Sequence, residues 1–433
     1  MNIWLLQTSE PLPTEQGARK LRTWLLADKL TERGHHVVWW ANAFNHLRKT
    51  WHFHKDTDVS VSDRLTVKAL HGIGYRTNVS FARLVDHRIL AWKFRTAALH
   101  LPRPDLIVAS MPSYDLAWQA VQYAQRRGIP VVVDIRDQWP DNFVDAVPAR
   151  LQPLARMVLA GEFRMLRELL QGADALISMS DVLLDWALKN AGREATWRDR
   201  VFHLGHRREM MAGGHTGNKI DALAGQLAGK FVVAFVGTFA TYHNPEALID
   251  CAQRLRGEDI VFVLGGDGEL GGRLRQKAAG LDNLLFPGWL NQEEITALLR
   301  QSHLGVCSSG KAGNKFFFPN KAFSYWSAGL PIASAFEGEI ADVIDAKRVG
   351  FSYRSIAELT TGIFDLLRQP GLHAEMSDNA RRLFEDRYNA ERIYEAYAAH
   401  LECVAELRPR PEAAPAAEAG ALGGRNRDVV REG

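Results

Sequence analysis

The chain has 433 residues, 46% of them hydrophobic and 24% charged, with a formal net charge of +3 and three cysteines. That length exceeds what one hydrophobic core fills and predicts two lobes of roughly 200 residues each, while the near-average composition excludes a fibrous or wholly disordered chain. The small charge, without an aromatic-basic platform, excludes a dedicated nucleic-acid binder, and the scattered Cys251, Cys307 and Cys403 exclude a disulfide framework or structural zinc and fit a reducing cytoplasm.

The opening MNIWLLQTSEPLP has no basic start and soon meets prolines, so it reads as a first strand, Ile3 to Gln7, rather than a signal peptide. A helix follows from about Gly17 to Arg33, with Leu21, Trp24, Leu25 and Leu30 towards the sheet and Gly34 closing it. Strands are predicted at His36 to Trp40 and Asp105 to Ala109. A helix then runs to Arg127, a turn falls at Gly128 and Pro130, and strands follow at Val131 to Ile135 and Asp174 to Met179. This alternation belongs to a parallel sheet covered by helices.

Two stretches mix basic and apolar residues. Asn78 to Arg103 places Arg83, His87, Arg88, Lys93 and Arg95 among Phe81, Leu84, Ile89, Leu90, Trp92 and Phe94, and a second stretch runs from Arg150 to Leu170. Such helices either expose a solvated basic face or lie on an anionic membrane surface. No apolar run reaches the roughly 20 residues of a membrane-spanning helix. The expected location is the cytoplasm, with peripheral contact at the inner face of the plasma membrane.

From His203 to Lys230 the chain turns Gly-rich and polar, which marks a linker. The second half restarts with a strand, Phe231 to Val236, a helix from about Pro245, a strand at Ile260 to Leu264 and a glycine turn, Gly265 to Gly268. Further strands are predicted at Asn283 to Phe286, Leu304 to Ser308 and Pro331 to Ala335. The predicted organisation is a Rossmann-like domain over residues 1–206, a linker over 207–229 and a second Rossmann-like domain over 230–385. A helix over 386–406 is expected to pack back on the first domain, and a Pro/Ala/Gly-rich tail over 407–433 to be disordered. The fold class is therefore α/β, with two facing doubly wound domains and a cleft between them.

In doubly wound sheets ligands gather beyond the carboxyl ends of the strands. The loop Thr8 to Arg19 ends in Gly17 at a helix start, a geometry suited to an anion. In VVVDIRDQWPDNF, Asp134, Arg136, Asp137 and Asp141 crowd a strand end, where carboxylates beside an arginine either orient sugar hydroxyls or form a salt-bridge cluster. The most informative loop is FFFPNKAFSYWSAGLPIASAFEGEI. Pro319 is placed to be the first residue of a helix whose amides around Asn320 and Lys321 point at a phosphate, with Lys321 adding a point charge. Ala328 and Gly329 end that helix, and Glu337, Gly338 and Glu339 form an acidic loop able to accept hydrogen bonds from sugar hydroxyls.

PNKAFSYWSAGLPIAS resembles the donor-binding segment of the family-4 retaining glycosyltransferases. TSEPLPTEQGARKLRTWLLADKLTERGHHVVWW, DIRDQWPD, FVGTF, GGDGEL and FPGWLNQEEITALLRQSHLGV resemble other segments of the same family, in the same order up to about Glu406. The resemblance implies the two-lobed GT-B architecture and retaining, metal-independent transfer from a nucleotide-sugar donor to a glycan or lipid-linked acceptor, in bacterial surface-polysaccharide synthesis. It implies no cofactor. Gly237 and Thr238 would approach the diphosphate, Gly266, Asp267 and Gly268 with Gly288, Trp289 and Leu290 would frame the base, and Asn320 and Lys321 would hold the phosphates. Glu337, Gly338 and Glu339 would meet the donor sugar, with Asp137 contacting it from the other lobe; Asp137, Lys321 and Glu337 are the expected catalytic residues.

One departure stands out. Ser324 occupies the place of a glutamate that contacts ribose in the family, Phe316 occupies a second glutamate position eight residues earlier, and Tyr242 and His243 replace basic residues after FVGTF. A serine makes one hydrogen bond where a carboxylate makes a pair, so donor affinity or identity should differ. Ser324 also motivates another class of function, a catalytically silent sugar-nucleotide-binding subunit, and a third is a sugar-nucleotide epimerase on the same two lobes. HFHKDTD, with His52, His54, Asp56 and Asp58, invites a metal reading, but alternation places all four side chains on one face of an exposed strand, without convergent ligands.

Overall fold

A computed structural model describes residues 1–15, 20–46, 48–77, 80–145, 147–207, 219–310 and 318–406. Gly17, Phe316, residues 208–218 of the expected linker and the tail over 407–433 lie outside the described residues. The chain divides into two compact units, one of Met1–Phe202 with the chain from Tyr397 onward, the other of His203–Ala396.

The first unit is built on β1 (Asn2–Leu6), β2 (His36–Asn42), a short pair β3 (Phe44–Asn45) and β4 (Thr50–Trp51), then β5 (Thr57–Ser62), β6 (Leu65–Leu70), β7 (Leu106–Met111), β8 (Val131–Ile135), β9 (Ala175–Ser178) and β10 (Arg200–Val201). Eight of these form one sheet in the order β10-β9-β8-β7-β1-β2-β6-β5, parallel throughout except for the antiparallel edge strand β5. β1 is thus central, and the chain winds outward from it in both directions, the doubly wound pattern. Every residue of β7 and β8 is buried, as continuous apolar runs covered on both faces require. Trp4, Trp40, Phe94 and Tyr123 pack ring against ring beneath them. Within the same unit Tyr397 stacks on Phe202 at 4.6 Å, His400 Nε2 lies 2.7 Å from the Arg198 carbonyl, and Glu402 pairs with Arg33 and His35.

The second unit holds β11 (Phe231–Val236), β12 (Ile260–Gly265), β13 (Leu284–Gly288), β14 (Leu304–Cys307), β15 (Ile332–Ser334) and β16 (Gly350–Ser352), all parallel in the order β13-β12-β11-β14-β15-β16. Phe235, Phe239, Leu248, Phe262 and Ile363 fill one side of this sheet, and Trp326, Tyr325, Ile344 and Tyr388 the other. Both sheets carry the nucleotide-fold topology that places ligands at the carboxyl ends of central strands. Among the described residues no helix is long and apolar enough to cross a membrane.

Candidate functional site

In the second unit the loops after β11, β12 and β13 are stitched into one surface. Gly237 N donates to the Gly265 carbonyl at 3.0 Å, Phe239 N to the Asp267 carbonyl at 2.9 Å and Gly266 N to the Gly288 carbonyl at 2.8 Å. Gly266, at φ +152°, admits no side chain, since a Cβ there would stand 1.9 Å from the Gly237 oxygen. Thr238 and Trp289 are exposed on this surface, whereas the Leu290 side chain belongs to the core. Asp267 turns its carboxylate back onto its own loop, accepting from Gly268 N at 2.9 Å with Arg275 at 3.6 Å. Lys219, outside every predicted site, donates to the Trp289 carbonyl at 2.6 Å.

Beside these loops lies the helix Asn320–Ser327. Pro319, at ψ 122°, is its N-cap and not its first residue, so the helix begins one residue later than predicted and its leading amide is that of Asn320. Ala322, Phe323, Tyr325 and Trp326 anchor it in the core, and the Tyr325 hydroxyl accepts from Val236 N at 3.0 Å, tying helix to strand. Asn320 is exposed, and among the described residues no side chain caps the helix N-terminus. Lys321 reaches back beneath the loops: its Nζ sits 4.1 Å from the centroid of Phe235 and 3.1 Å from where a Cβ on Gly237 would be.

That ammonium is closed to solvent and has no hydrogen-bond partner among the described residues. Burial brings the Lys321 pKa down to about 8; burial and then Lys321 bring His243 down to about 4; burial pushes the Cys307 thiol up to about 12 despite Lys321. A buried cation with no hydrogen-bond partner among the described residues costs stability, and an anionic ligand would supply the missing charge.

Glu337 is half-buried and its carboxylate has no partner among the described residues. Gly338, at φ +76°, caps the helix Glu339–Lys347 as its N-cap, and Glu339 is that helix's first residue. Ser324 is engaged: its Oγ lies 2.8 Å from Nε2 of His206, a residue that local sequence pattern does not single out.

In the first unit the acidic run after β8 divides by role. Asp134 is fully buried and held by Arg22 through two contacts of 3.0 Å and by Arg136 at 2.9 Å. Arg136 also pairs with Glu10 and donates to Thr23 Oγ1 at 2.9 Å and Ser110 Oγ at 3.0 Å. Burial alone would raise the Asp134 pKa, but Arg22 and Arg136 outweigh it and hold the carboxyl below its usual range. Asp134 and Arg136 therefore form an ion-pair network with Arg22 and Glu10. Asp137 stands outside that network, half-buried, accepting from Gln138 N at 2.9 Å, from Trp139 Nε1 at 3.1 Å and from Asn142.

The HFHKDTD stretch does not form one strand face. His52 pairs with Glu15 at 3.2 Å, Asp56 with Lys93 at 2.7 Å and Asp58 with Lys68, because β4 ends before His52 and β5 begins only at Thr57. Among the described residues no group of three or more His, Cys, Asp or Glu is placed to hold a metal ion.

Comparison with known proteins bears on the family and the fold. Residues 20–204 match the family described as glycosyl transferase 4-like domain, and residues 230–369 match glycosyl transferases group 1. No curated protein sequence matches the chain significantly. Among solved structures, HepE of Anabaena in complex with UDP is 17% identical, with a TM-score of 0.62 over 93% of this chain and 99% of that one. Sucrose-phosphate synthase of Thermosynechococcus elongatus is 16% identical, with a TM-score of 0.65 over 93% and 98%. WaaG, a glycosyltransferase involved in lipopolysaccharide biosynthesis, is 15% identical, with a TM-score of 0.57 over 93% and 99%. At these identities the structures show a shared fold, that of the GT-B glycosyltransferases. The two family models between them span most of both units, and the chain belongs to the group 1, family-4-like glycosyltransferases.

Proposed function

We propose that this enzyme moves a sugar from a nucleotide-sugar donor to a glycan or lipid-linked acceptor in polysaccharide synthesis, with retention at the anomeric carbon. The observation that carries the reading is the Lys321 ammonium, without a hydrogen-bond partner among the described residues, beside the Gly237 loop and the N-terminus of the helix Asn320–Ser327. Amides and a lysine together bind a diphosphate, and they bind it best when the bond to the sugar breaks and charge collects on the departing oxygen. The bonding pair leaves with the nucleoside diphosphate. The acceptor oxygen bonds to the anomeric carbon, and its proton passes to the departing phosphate oxygen. Lys321 and the helix amides meet the charge of the leaving group, so the proposed reaction needs neither metal nor cofactor.

Glu337, with its unengaged carboxylate, is proposed to hold hydroxyls of the donor sugar, and Asp137 is the candidate carboxylate of the first unit. The nucleotide half of the reading is supported by HepE, solved with UDP, and the polysaccharide half by WaaG. Incubation with a panel of nucleotide sugars and lipid-linked acceptors, with nucleoside diphosphate release and the anomeric configuration of the product as readouts, tests the proposal. Product of inverted configuration would refute retention. Donor binding without release in any combination would favour the silent-subunit reading, which the engaged Ser324 supports.

The same enzyme is proposed to touch the cytoplasmic membrane surface through its first unit. Phe81, Trp92 and Leu99 are 80%, 61% and 54% exposed and alternate with the exposed Arg88 and Arg95. Nearby in sequence to the Arg88 partner Glu162, the helix Gln152–Val158 buries no residue and leaves Leu154, Met157 and Val158 in solvent. Apolar side chains flanked by arginines suit an anionic lipid surface.

A further inference from the structure

The helix Phe81–Ala97 leaves Phe81 and Trp92 in solvent but buries Arg83, Asp86 and His87. Asp86 accepts from Nδ2 of Asn42, the last residue of β2, at 3.0 Å. The Arg83 guanidinium carbon lies 5.6 Å from the ring centroid of Tyr75, in the loop after β6, and 4.6 Å from that of Trp139, in the loop after β8. These side chains therefore gather at the carboxyl ends of the strands of the first unit, the edge where doubly wound sheets hold ligands.

A second cation comes to the same tyrosine. Lys49 Nζ stands 4.6 Å from the Tyr75 ring centroid, and His46 Nδ1 lies 2.6 Å from the Tyr75 hydroxyl. The His87 ring is 5.9 Å from that of Trp139, and its buried Nδ1 has no hydrogen-bond partner among the described residues. The basic groups act against one another: burial and then Arg83 bring the His46 pKa down to about 4 and that of His87 to about 3, and hold Lys49 below its ordinary value. Two carboxylates, Asp86 and Asp137, attract Arg83, but both are engaged elsewhere. Asp86 also accepts from the amides of Ile73 and Gly74 at 2.8 and 2.9 Å, and Asp137 from Gln138, Trp139 and Asn142. Gathering like charges costs stability, and an anion among them would offset the cost.

Trp139 joins this cluster to Asp137, since its indole N–H donates to Asp137 at 3.1 Å while its ring meets Arg83. One indole, similar in breadth to a pyranose ring, thus lies between the basic groups and the candidate carboxylate of this unit. Lys49 and His46 are only half-buried, which leaves the cluster open to solvent on their side. A guanidinium fork and an ammonium are the groups that recognise phosphate oxygens. We propose that Arg83, Lys49 and His46 bind a phosphate carried by the acceptor, so that the acceptor is a phosphorylated sugar or a lipid-linked sugar phosphate whose hydroxyl faces Asp137. The inference rests on the transferase reading above and gives it an acceptor class.

Calorimetric titration of full-length Lys321→Met protein, in which the donor phosphate site is disabled, tests it with matched probes. Glucose 1-phosphate and glucose 6-phosphate are compared with glucose, and citronellyl diphosphate with citronellol. At least one phosphorylated probe should bind about tenfold or more tightly than its neutral counterpart, as charge-assisted hydrogen bonds imply. Binding of the lipid probe alone marks a lipid-linked acceptor and binding of a sugar phosphate alone a soluble one, and either supports the inference. Adding Lys49→Gln should weaken the probe that binds about tenfold, with the melting temperature little changed because this side chain is half-buried and not part of the core. No phosphorylated probe bound more tightly than its neutral counterpart, or undiminished affinity with Lys49→Gln, overturns the inference. The donor site is measured separately, by titrating UDP, GDP, ADP and CDP into the chain with Lys321 intact, and binding there stands whatever the phosphate probes do. Binding of none of the four overturns the transferase reading, and the inference with it.

Discussion

The Lys321 ammonium stands 4.1 Å from the centroid of the Phe235 ring and has no hydrogen-bond partner among the described residues. A ring face attracts a cation, but it does not replace the hydration that burial removes. The protein keeps a charge that costs it stability at the place where a diphosphate would repay the cost, as sites built for function often do.

Lys321→Met should therefore leave the melting temperature unchanged or raise it, while kcat/KM falls about 10²- to 10³-fold, the usual loss when a charge-stabilising group is removed. The pH dependence has a definite sign. Burial holds the Lys321 pKa at about 8 in the folded protein, against 10.5 for an ordinary lysine. Below about 8 the group is charged in both folded and unfolded chains and its desolvation cost is present in full; from there to 10.5 the folded chain binds fewer protons, so stability rises with pH. Donor affinity moves the other way, falling as pH rises through about 8, and both trends should be flat in Lys321→Met. Chemical denaturation and donor titration across pH 6.5 to about 10 measure the two slopes, and a wild-type affinity that climbs through this range would contradict the site.

Gly266→Ala should be costly for a different reason. The φ of +152° is one that side chains rarely adopt, and the atom a Cβ would strike, at 1.9 Å, is a backbone oxygen of the neighbouring loop, which has no rotamer to change. A loss of about 2 to 3 kcal/mol in urea unfolding is expected, together with weakened donor binding in the fraction that folds. Gly272→Ala is the control: it lies in the helix Gly271–Lys277 with nothing within 4 Å of its Cβ position, and it should be neutral or stabilising.

What could be read from the chain beforehand divides along physical lines. Val131–Ile135 and Phe231–Val236 match their predicted spans end to end, because a strand covered on both faces is a continuous apolar run that local pattern reveals. The edge pair β5 and β6 escaped prediction, since Thr57–Ser62 is mostly exposed and polar and gains its strand character only from pairing with Leu65–Leu70. Lys321 stood out because Pro319 and the helix start at Asn320 lie beside it in sequence. His206 and Arg22 were not: their partners Ser324 and Asp134 lie 118 and 112 residues away, and nothing local announces a buried ion pair or a histidine spanning from another segment.

Asp134→Asn separates structure from chemistry in the first unit. Removing the charge of the fully buried Asp134 takes away the carboxylate that Arg22 and Arg136 share, leaving Arg136 its pair with Glu10, and a loss of about 3 to 5 kcal/mol is expected. Because the folded-state pKa of Asp134 is held below the ordinary carboxylate value of 3.8, its contribution is complete above that pH and is lost as pH falls below it. Nucleoside diphosphate affinity should survive in protein kept folded at low temperature, since Lys321 and its loops belong to the other unit. A variant of unchanged stability with abolished turnover would return Asp134 to the chemistry.

The helix Gln152–Val158 has no buried residue, and Met157 and Val158 are 68% and 74% exposed. On the proposed membrane reading, these apolar side chains are what a lipid surface would cover, and the exposed Arg150 beside them would favour an anionic one. Wild-type protein should sediment with vesicles containing phosphatidylglycerol and much less with neutral phosphatidylcholine vesicles, and added salt should release it. Leu154→Asp with Met157→Asp should weaken vesicle binding about tenfold or more, because each change removes an insertable apolar group and adds a charge repelled by the lipid. Both side chains are more than half exposed, so melting temperature and transfer to a water-soluble acceptor should be little affected. Equal sedimentation of the double variant and the wild type would remove the membrane from the proposed function and leave the transferase reading intact.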